Sequence, residues 1–236
     1  MNQTGPLVVR WLAFEHGAVE AGAAQSATVE ALNAGSATWR TREHGQGLFL
    51  ACHWLDERGN PIVWDAERTP LDRPVEPGEV LRQRMTLRGP IPPGRYRLAV
   101  DMIEEHRFWL AELGNAEHEE LVDVLPRDAS GARAFIPDDA EPDPGWHELV
   151  TALHGEGYAA VGGAILEPRG LRRGRTPELA PYAPGGGRRP RFPDPLVCPS
   201  LLPPLEPNDQ VAGLPAYRPA GMDPWMFDGR AVIRLR

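Results

Sequence analysis

The feature that most constrains the fold is a pair of alternating segments between Glu76 and Asp101, separated by the prolines of the sequence GPIPPG. In both segments large apolar side chains recur at every second position, and arginines fill most of the positions between them. A period of two is typical of a β-strand with one buried and one exposed face. Pro-Gly pairs precede both segments, as expected of turns. The sequence therefore predicts two strands of a β-sandwich joined by a corner. The positions predicted to be buried are Leu81, Met85, Leu87, Tyr96, Leu98, Val100 and Met102, and those predicted to be exposed are Arg82, Arg84, Arg88, Arg95, Arg97 and Asp101.

Six further segments in the first half of the chain carry strand patterns, with turn-forming residues between them. One of them, residues 47–56, is apolar at nearly every position, which is typical of a central strand covered on both faces. Roughly eight strands in all, with no convincing helix among them, favour an antiparallel β-sandwich over a parallel α/β sheet. The six segments are residues 6–14, 25–33, 47–56, 61–65, 106–114 and 120–124.

The character of the sequence changes after Leu125. Residues 126–145 are rich in proline and acidic side chains and are predicted to form a linker. A helix is predicted to follow, with Asp143 as its cap and Pro144 in its first turn. Its predicted apolar face consists of Trp146, Leu149, Val150 and Leu153.

A proline-rich tail makes up most of the remaining sequence. Residues 158–166 and 229–235 are predicted strands, whereas residues 167–224 have many prolines and no sustained periodicity. The predicted fold is therefore mainly β. It consists of an antiparallel, Ig-like β-sandwich over residues 5–125, a linker over residues 126–145, and a small helix–strand unit with a long proline-rich irregular segment wrapping a folded surface over residues 146–236.

Composition excludes some classes of function. The net charge of −8 argues against nucleic-acid binding, which needs a basic surface. No apolar stretch approaches the roughly 20 residues of a membrane helix, and no signal peptide is evident. The chain is therefore expected to be soluble and cytoplasmic, with no membrane span.

Motifs typical of catalytic and metal sites do not occur in the sequence. There is no GxSxG, HExxH or DxD arrangement, and the seven histidines are scattered without metal-ligand spacing. Two cysteines are too few for a disulfide framework or a zinc site, so Cys52 is predicted to be a buried free thiol. We therefore expect no catalytic residue, no metal site and no cofactor.

An arginine cluster is the strongest polar signal. Arg188, Arg189 and Arg191 follow a run of three glycines, so guanidinium groups and backbone amides together could hold a phosphate or a nucleotide diphosphate. The alternative is a solvated loop whose arginines pair with acidic side chains.

Tryptophans are the candidate sugar-binding residues: Trp39, Trp64 and Trp109 in the predicted sandwich and Trp225 in the tail. Their rings could stack on the faces of pyranose rings if they are exposed. The alternative is that the sandwich tryptophans belong to the core, as tryptophans of such domains usually do.

Several segments resemble a known family. ALNAGSATW at 31–39, CHWLDERGNPIVWD at 52–65, PGE at 77–79 and PIPPGRYRLAVDMIEEHRFWLAELG at 90–114 are similar to the Ig-like β-sandwich domain associated with bacterial glycosyltransferases and surface-polysaccharide proteins. The resemblance covers about residues 5–125. It implies that Tyr96 is a corner tyrosine, whose hydroxyl bonds to nearby backbone, and that Trp54 is a buried strand tryptophan. The intersheet disulfide of the family has no counterpart, because Cys52 has no second cysteine in this half.

The resemblance also implies a function. It predicts a non-catalytic accessory or interaction module in bacterial cell-surface glycan assembly, with a glycan or a protein as partner. Two alternatives remain open on the residues alone. One is a sugar or nucleotide-sugar transferase that binds a diphosphate through the arginine cluster, and the other is a structural protein that docks a partner through its tail.

Overall fold

The computed structural model describes residues 5–42, 47–134, 140–142, 144–167, 170–172, 197–203, 206, 209–212 and 232–235. Contacts divide the chain into an N-terminal unit, Met1–Leu125, and a C-terminal unit, Pro126–Arg236. The described residues are mainly β, as the sequence predicts, and α1 (Trp146–Gly155) is the one α-helix among them. Within these residues no helix has both the length and the apolar character that crossing a membrane requires.

The described part of the N-terminal unit contains ten strands: β1 (Val9–His16), β2 (Val19–Glu20), β3 (Ala24–Asn33), β4 (Leu48–Leu55), β5 (Pro61–Val63), β6 (Thr69–Pro70), β7 (Val80–Arg88), β8 (Gly94–Glu104), β9 (Phe108–Trp109) and β10 (His118–Leu125). One sheet has the order β1-β3-β7. The other has the order β2-β10-β8-β4-β5, with β6 beside β4 and β9 beside β8. Neighbouring strands are antiparallel except β2 and β10, which are parallel. The strand β5 lies at a sheet edge, where Pro61 is tolerated because an edge strand need not donate every hydrogen bond.

The two sheets share one hydrophobic core. Alternate residues of β3 and β7 point into it from one sheet, and alternate residues of β4 and β8 do so from the other. The predicted buried positions of β7 and β8 are confirmed: Leu81, Met85, Leu87, Tyr96, Leu98, Val100 and Met102. Cys52 is a buried free thiol, as predicted, and burial raises its pKa to about 12.

A proline-containing corner carries the chain from β7 in the first sheet to β8 in the second. The hydroxyl of Tyr96 donates a 2.7 Å hydrogen bond to the carbonyl of Pro92 within this corner. The indole of Trp54, which is fully buried, donates to the carbonyl of Arg88 at the end of β7. These two hydrogen bonds give the phenol hydroxyl and the indole N–H a partner, and they hold the corner against the core.

The outer face of the second sheet differs from the prediction. Asp101 was expected to face solvent, but it is fully buried. The segment 106–114 was expected to be a strand, but only Phe108–Trp109 pairs with β8, and a short 3-10 helix over Ala111–Leu113 follows. Gly114, at φ 87°, ends this helix in the left-handed conformation that glycine adopts without strain. The segment therefore folds back over the sheet and covers a face that strand alternation assigns to solvent.

The C-terminal unit contains α1 and, among its described residues, seven strands: β11 (Arg133–Ala134), β12 (Ala140–Pro142), β13 (Ala160–Glu167), β14 (Gly170–Arg172), β15 (Val197–Leu201), β16 (Val211–Ala212) and β17 (Val232–Leu235). Their order is β11-β15-β13-β17-β12, and β14 and β16 also pair with β13. The segment 126–145, predicted as a linker, holds β11 and β12, which pair within this sheet. The predicted strands at 158–166 and 229–235 correspond to β13 and β17. Most of residues 167–224 lie outside the described residues.

The helix α1 forms over the predicted segment and buries its apolar side. Trp146, Val150 and Leu153 are buried. Gly145, at φ 81°, precedes the helix, and the predicted cap Asp143 lies outside the described residues. His154 of the same helix is also buried, and its Nε2 lies 2.9 Å from the hydroxyl of Ser200 on β15.

Candidate functional site

Of the tryptophans predicted to bind sugar, Trp39 is fully buried in the core and Trp225 lies outside the described residues. The other two, Trp64 and Trp109, lie together on the outer face of the second sheet. Their ring centroids are 6.3 Å apart, and both contact the imidazole of His53. Trp64 stacks on that imidazole at 3.9 Å with an interplanar angle of 21° and is 50% exposed. Trp109 lies 4.2 Å from the imidazole and is 8% exposed. Trp109 is therefore part of a small hydrophobic cluster, whereas Trp64 presents accessible ring surface.

The other predicted ligand-binding residues lie elsewhere in the sequence. Arg188, Arg189 and Arg191 are outside the residues that the structure describes. The arginine cluster therefore stays a prediction from the sequence.

Three polar side chains meet beneath the tryptophans. In the register of the sheet, His53 on β4 pairs with Ala99 on β8, and Asp101 on β8 pairs with Ala51 on β4. Glu117 immediately precedes β10, whose first residue pairs with the neighbour of Asp101. All three side chains project from the outer face of the sheet, and the two alanines leave space between them. Each of His53, Asp101 and Glu117 offers one possible ligand atom, and these three atoms all lie within 4.8 Å of one another.

The imidazole of His53 is oriented by the backbone of the loop that follows β5. Nδ1 of His53 contacts the carbonyl oxygen of Trp64. A carbonyl can only accept, so Nδ1 carries the proton and Nε2 carries a lone pair. Burial lowers the pKa of His53, which favours the neutral ring. Nε2 then faces Oε1 of Glu117 at 3.8 Å, too far for a hydrogen bond.

The two carboxyl groups are held in different ways. Asp101 accepts backbone N–H groups from Met102 at 2.7 Å and Ala111 at 3.1 Å, so its position is fixed. Burial raises the pKa of Asp101 to about 6, against those two hydrogen bonds. Burial, with the nearby charge of Asp101, also raises the pKa of Glu117. The side chain of Glu117 is 25% exposed and can adjust.

An arginine secures the loop that covers the cluster. The guanidinium of Arg68 lies 4.8 Å from the ring centroid of Trp109. It also pairs with Asp65 at 2.7 Å and with Glu105 at 3.2 Å. The loop after β5 and the segment after β8 are thereby tied together over the outer face of the sheet.

Sequence reasoning missed the cluster, although a signal for it was present. His53 and Asp101 are each a polar residue inside an otherwise apolar strand, in GLFLACHWLD and RLAVDMI. Such residues need a partner when buried. These two residues and Glu117 are far apart in sequence. Their contact depends on the strand register, so the sequence pattern alone did not predict it.

A cleft in the same unit lies apart from the predicted binding residues. It has a volume of about 940 Å³, and Trp64 and Trp109 do not line it. Its walls include Leu7, Arg40, Glu76, Arg107 and Phe108. It offers a mixed polar and apolar surface, in which Arg107 forms an ion pair with Glu104 at 2.7 Å.

Comparisons with known proteins do not assign the chain to a family. No protein-family model matches it, and a search of curated proteins finds no match.

Proposed function

We propose that the N-terminal unit is an Ig-like β-sandwich that acts as a non-catalytic binding module for glycans, in keeping with a role in bacterial cell-surface glycan assembly. The observation that carries this proposal is the half-exposed ring of Trp64, stacked on His53. Two features support the Ig-like assignment. They are the hydrogen bond from the Tyr96 hydroxyl to the Pro92 carbonyl and the complete burial of Trp54.

The setting of Trp64 suits contact with a sugar ring. One face of the indole rests on the imidazole of His53, so its accessible surface is the other face and the ring edges. A rigid aromatic side chain offers a large apolar surface at low entropic cost. The carboxylate of Asp65, the next residue in the chain, is 72% exposed, and that of Glu105, which pairs with the same Arg68, is 40% exposed. Such groups accept hydrogen bonds from sugar hydroxyls while the ring stacks on the C–H face.

The polar cluster supports a binding role over a catalytic one. His53 and Asp101 are buried behind the tryptophans, where they have no access to a bound polymer. The imidazole of His53 orients the Trp64 loop, since it touches both the ring and the carbonyl of Trp64.

The test is a binding assay with matched variants. Trp64→Ala should weaken binding of acidic and neutral bacterial oligosaccharides by about tenfold or more, equivalent to about 1.4 kcal/mol. The control is Leu12→Ala, which removes a similarly exposed apolar side chain from β1 on the other sheet. Isothermal titration calorimetry on both variants gives the comparison. Either of two results would contradict the proposal. One is equal affinity of the Trp64→Ala variant and the unaltered protein, and the other is no oligosaccharide binding by the unaltered protein.

A further inference from the structure

We propose that the imidazole of His53 and the carboxylates of Asp101 and Glu117 bind a divalent transition-metal ion, with Zn²⁺ as its probe. This site does not depend on the proposed contact between Trp64 and a glycan, and each can fail alone. The proposal rests on the orientation of the imidazole, the spacing of the ligand atoms and the lack of other partners for them.

The imidazole already has the orientation that metal-bound histidines adopt. Such histidines generally donate their second ring N–H to a carbonyl or carboxylate, which fixes the ring and its tautomer. Nδ1 of His53 does this with the carbonyl of Trp64, and the side chain is only 2% exposed. Its Nε2 has no hydrogen bond within the described part of the chain. The lone pair of Nε2 therefore faces a carboxylate oxygen, and neither atom has a proton to offer the other when the carboxylate is charged.

The separation of the ligand atoms suits a shared cation. Zn²⁺ binds nitrogen and oxygen ligands at roughly 2.0–2.2 Å, so neighbouring ligand atoms lie about 3.0–3.5 Å apart. Nε2 of His53 and Oε1 of Glu117 are 3.8 Å apart, and the three ligand atoms lie within 4.8 Å of one another. The side chain of Glu117 is 25% exposed, so its rotation can bring Oε1 closer to Nε2 of His53. Its contact with His53 is its one polar contact among the described residues.

The carboxylates also lack a cationic partner. In the part of the chain that the structure describes, neither Asp101 nor Glu117 forms an ion pair with an arginine, although arginines pair with acidic groups over the rest of this unit. Asp101 is instead held by two backbone N–H groups, an outer contact of the kind that positions metal-ligating carboxylates. A bound cation supplies the charge that the side chains around these two groups do not.

The mixture of ligands indicates the class of ion. Imidazole favours zinc and other transition metals, whereas sites for Ca²⁺ and Mg²⁺ use oxygen ligands. One nitrogen and two oxygens from the protein leave at least one position of a tetrahedral ion for water. We therefore expect Zn²⁺ or Co²⁺ to bind and Ca²⁺ or Mg²⁺ not to compete.

The experiment is a titration of the full chain, carrying no added histidine tag, with Zn²⁺ and with Co²⁺. Calorimetry should give one site per chain, and Co²⁺ should give visible absorption bands from an ordered coordination sphere. Glu117→Gln should weaken binding more than about tenfold. The matched control Glu119→Gln alters a neighbouring carboxylate on the same face, which pairs with Arg97 at 3.4 Å, and should change affinity less than about twofold.

Two further variants deal with folding and with adventitious binding. His53→Gln should also abolish the site, and its circular dichroism and melting temperature report whether it folds. Glu117→Gln alters a partly exposed side chain and keeps the test valid if His53→Gln does not fold. His147→Gln removes an exposed histidine of α1 and should have no effect. Absence of binding, competition by Mg²⁺, or binding that survives Glu117→Gln would overturn the proposal.

Discussion

Two buried histidines, one in each unit, have the same kind of partner at Nδ1 but different partners at Nε2. His53 in the N-terminal unit and His154 in the C-terminal unit both contact a backbone carbonyl through Nδ1, that of Trp64 and that of Tyr158. Burial lowers the pKa of both. They differ at Nε2. That of His154 lies 2.9 Å from the hydroxyl of Ser200, whereas that of His53 faces the carboxylate of Glu117 at 3.8 Å.

The difference shows what distinguishes a structural histidine from a candidate ligand. A serine hydroxyl can donate to Nε2, so His154 is fully satisfied as a neutral ring. A carboxylate has no proton to donate unless it is itself protonated, so His53 is complete only when a proton, a water or a cation lies between the two groups. Burial and pKa alone do not separate the two cases, and the chemistry of the second partner does.

The largest expected effect is on the N-terminal unit when metal is added. Zn²⁺ at 100 times its dissociation constant should raise the free energy of unfolding by about 2.7 kcal/mol, because only the folded site binds it. Urea unfolding followed by tryptophan fluorescence, with and without EDTA, measures the change. At the same Zn²⁺ concentration the Glu117→Gln variant should gain no more than about 1.4 kcal/mol, because its binding is at least tenfold weaker. An increase equal to that of the unaltered protein would place the metal elsewhere.

The next effect makes His154 resemble His53. Ser200→Ala removes the hydroxyl partner of Nε2 and leaves a buried polar atom unpaired, which should cost about 1–2 kcal/mol. The control Thr151→Ala alters an exposed residue of α1 and should cost less than about 0.5 kcal/mol. Equal stabilities of the two variants in chemical denaturation would show that the hydroxyl contributes nothing.

Acid should act on the C-terminal unit through His154. Its pKa in the folded state is lowered by burial, and the charge of Arg127 acts in the same direction. The unfolded chain therefore takes up a proton first, and stability that is fully present above about pH 6.5 is lost as the pH falls toward the folded-state pKa. The slope cannot exceed about 1.4 kcal/mol per pH unit for one proton. Unfolding of the His154→Gln variant between pH 7 and pH 5 should depend less on pH, and an unchanged slope would contradict this assignment.

The smallest expected effect makes His53 resemble His154. In EDTA, Glu117→Gln places an amide that can donate opposite Nε2, and it removes a partly buried charge. Metal-free stability should rise by about 0.5–1 kcal/mol. A fall in stability, measured by the same urea titration against Glu119→Gln, would mean that Glu117 already stabilises the metal-free protein.

Strand alternation predicted the core of the N-terminal unit because a two-sheet core selects every second residue. Leu81, Leu98 and Met102 are buried for that reason. The same alternation placed Asp101 in solvent, and this prediction was wrong. Whether the outer face of β8 is covered depends on the return of a distant segment, which brings Trp109 onto it. Local periodicity carries no information about such a return.

The site was predictable only in part. Trp64 and Trp109 were singled out as aromatic residues of the strands, and the structure places them side by side. The link through His53 depends on the pairing of β4 with β8 and on the loop carbonyl of Trp64. Both are long-range features that a single sequence does not encode in its spacing. The burial of His154 was hidden in the same way, because its partner Ser200 lies 46 positions along the chain.

The buried thiol of Cys52 makes chemical labelling a measure of how often the core of the N-terminal unit opens. It is the one cysteine before Leu125, it lies on the core side of β4, and its pKa of about 12 keeps it protonated at neutral pH. A thiol reagent can therefore modify it only during moments when the sheets separate. The labelling rate of Cys52 therefore reports the frequency at which the two sheets separate.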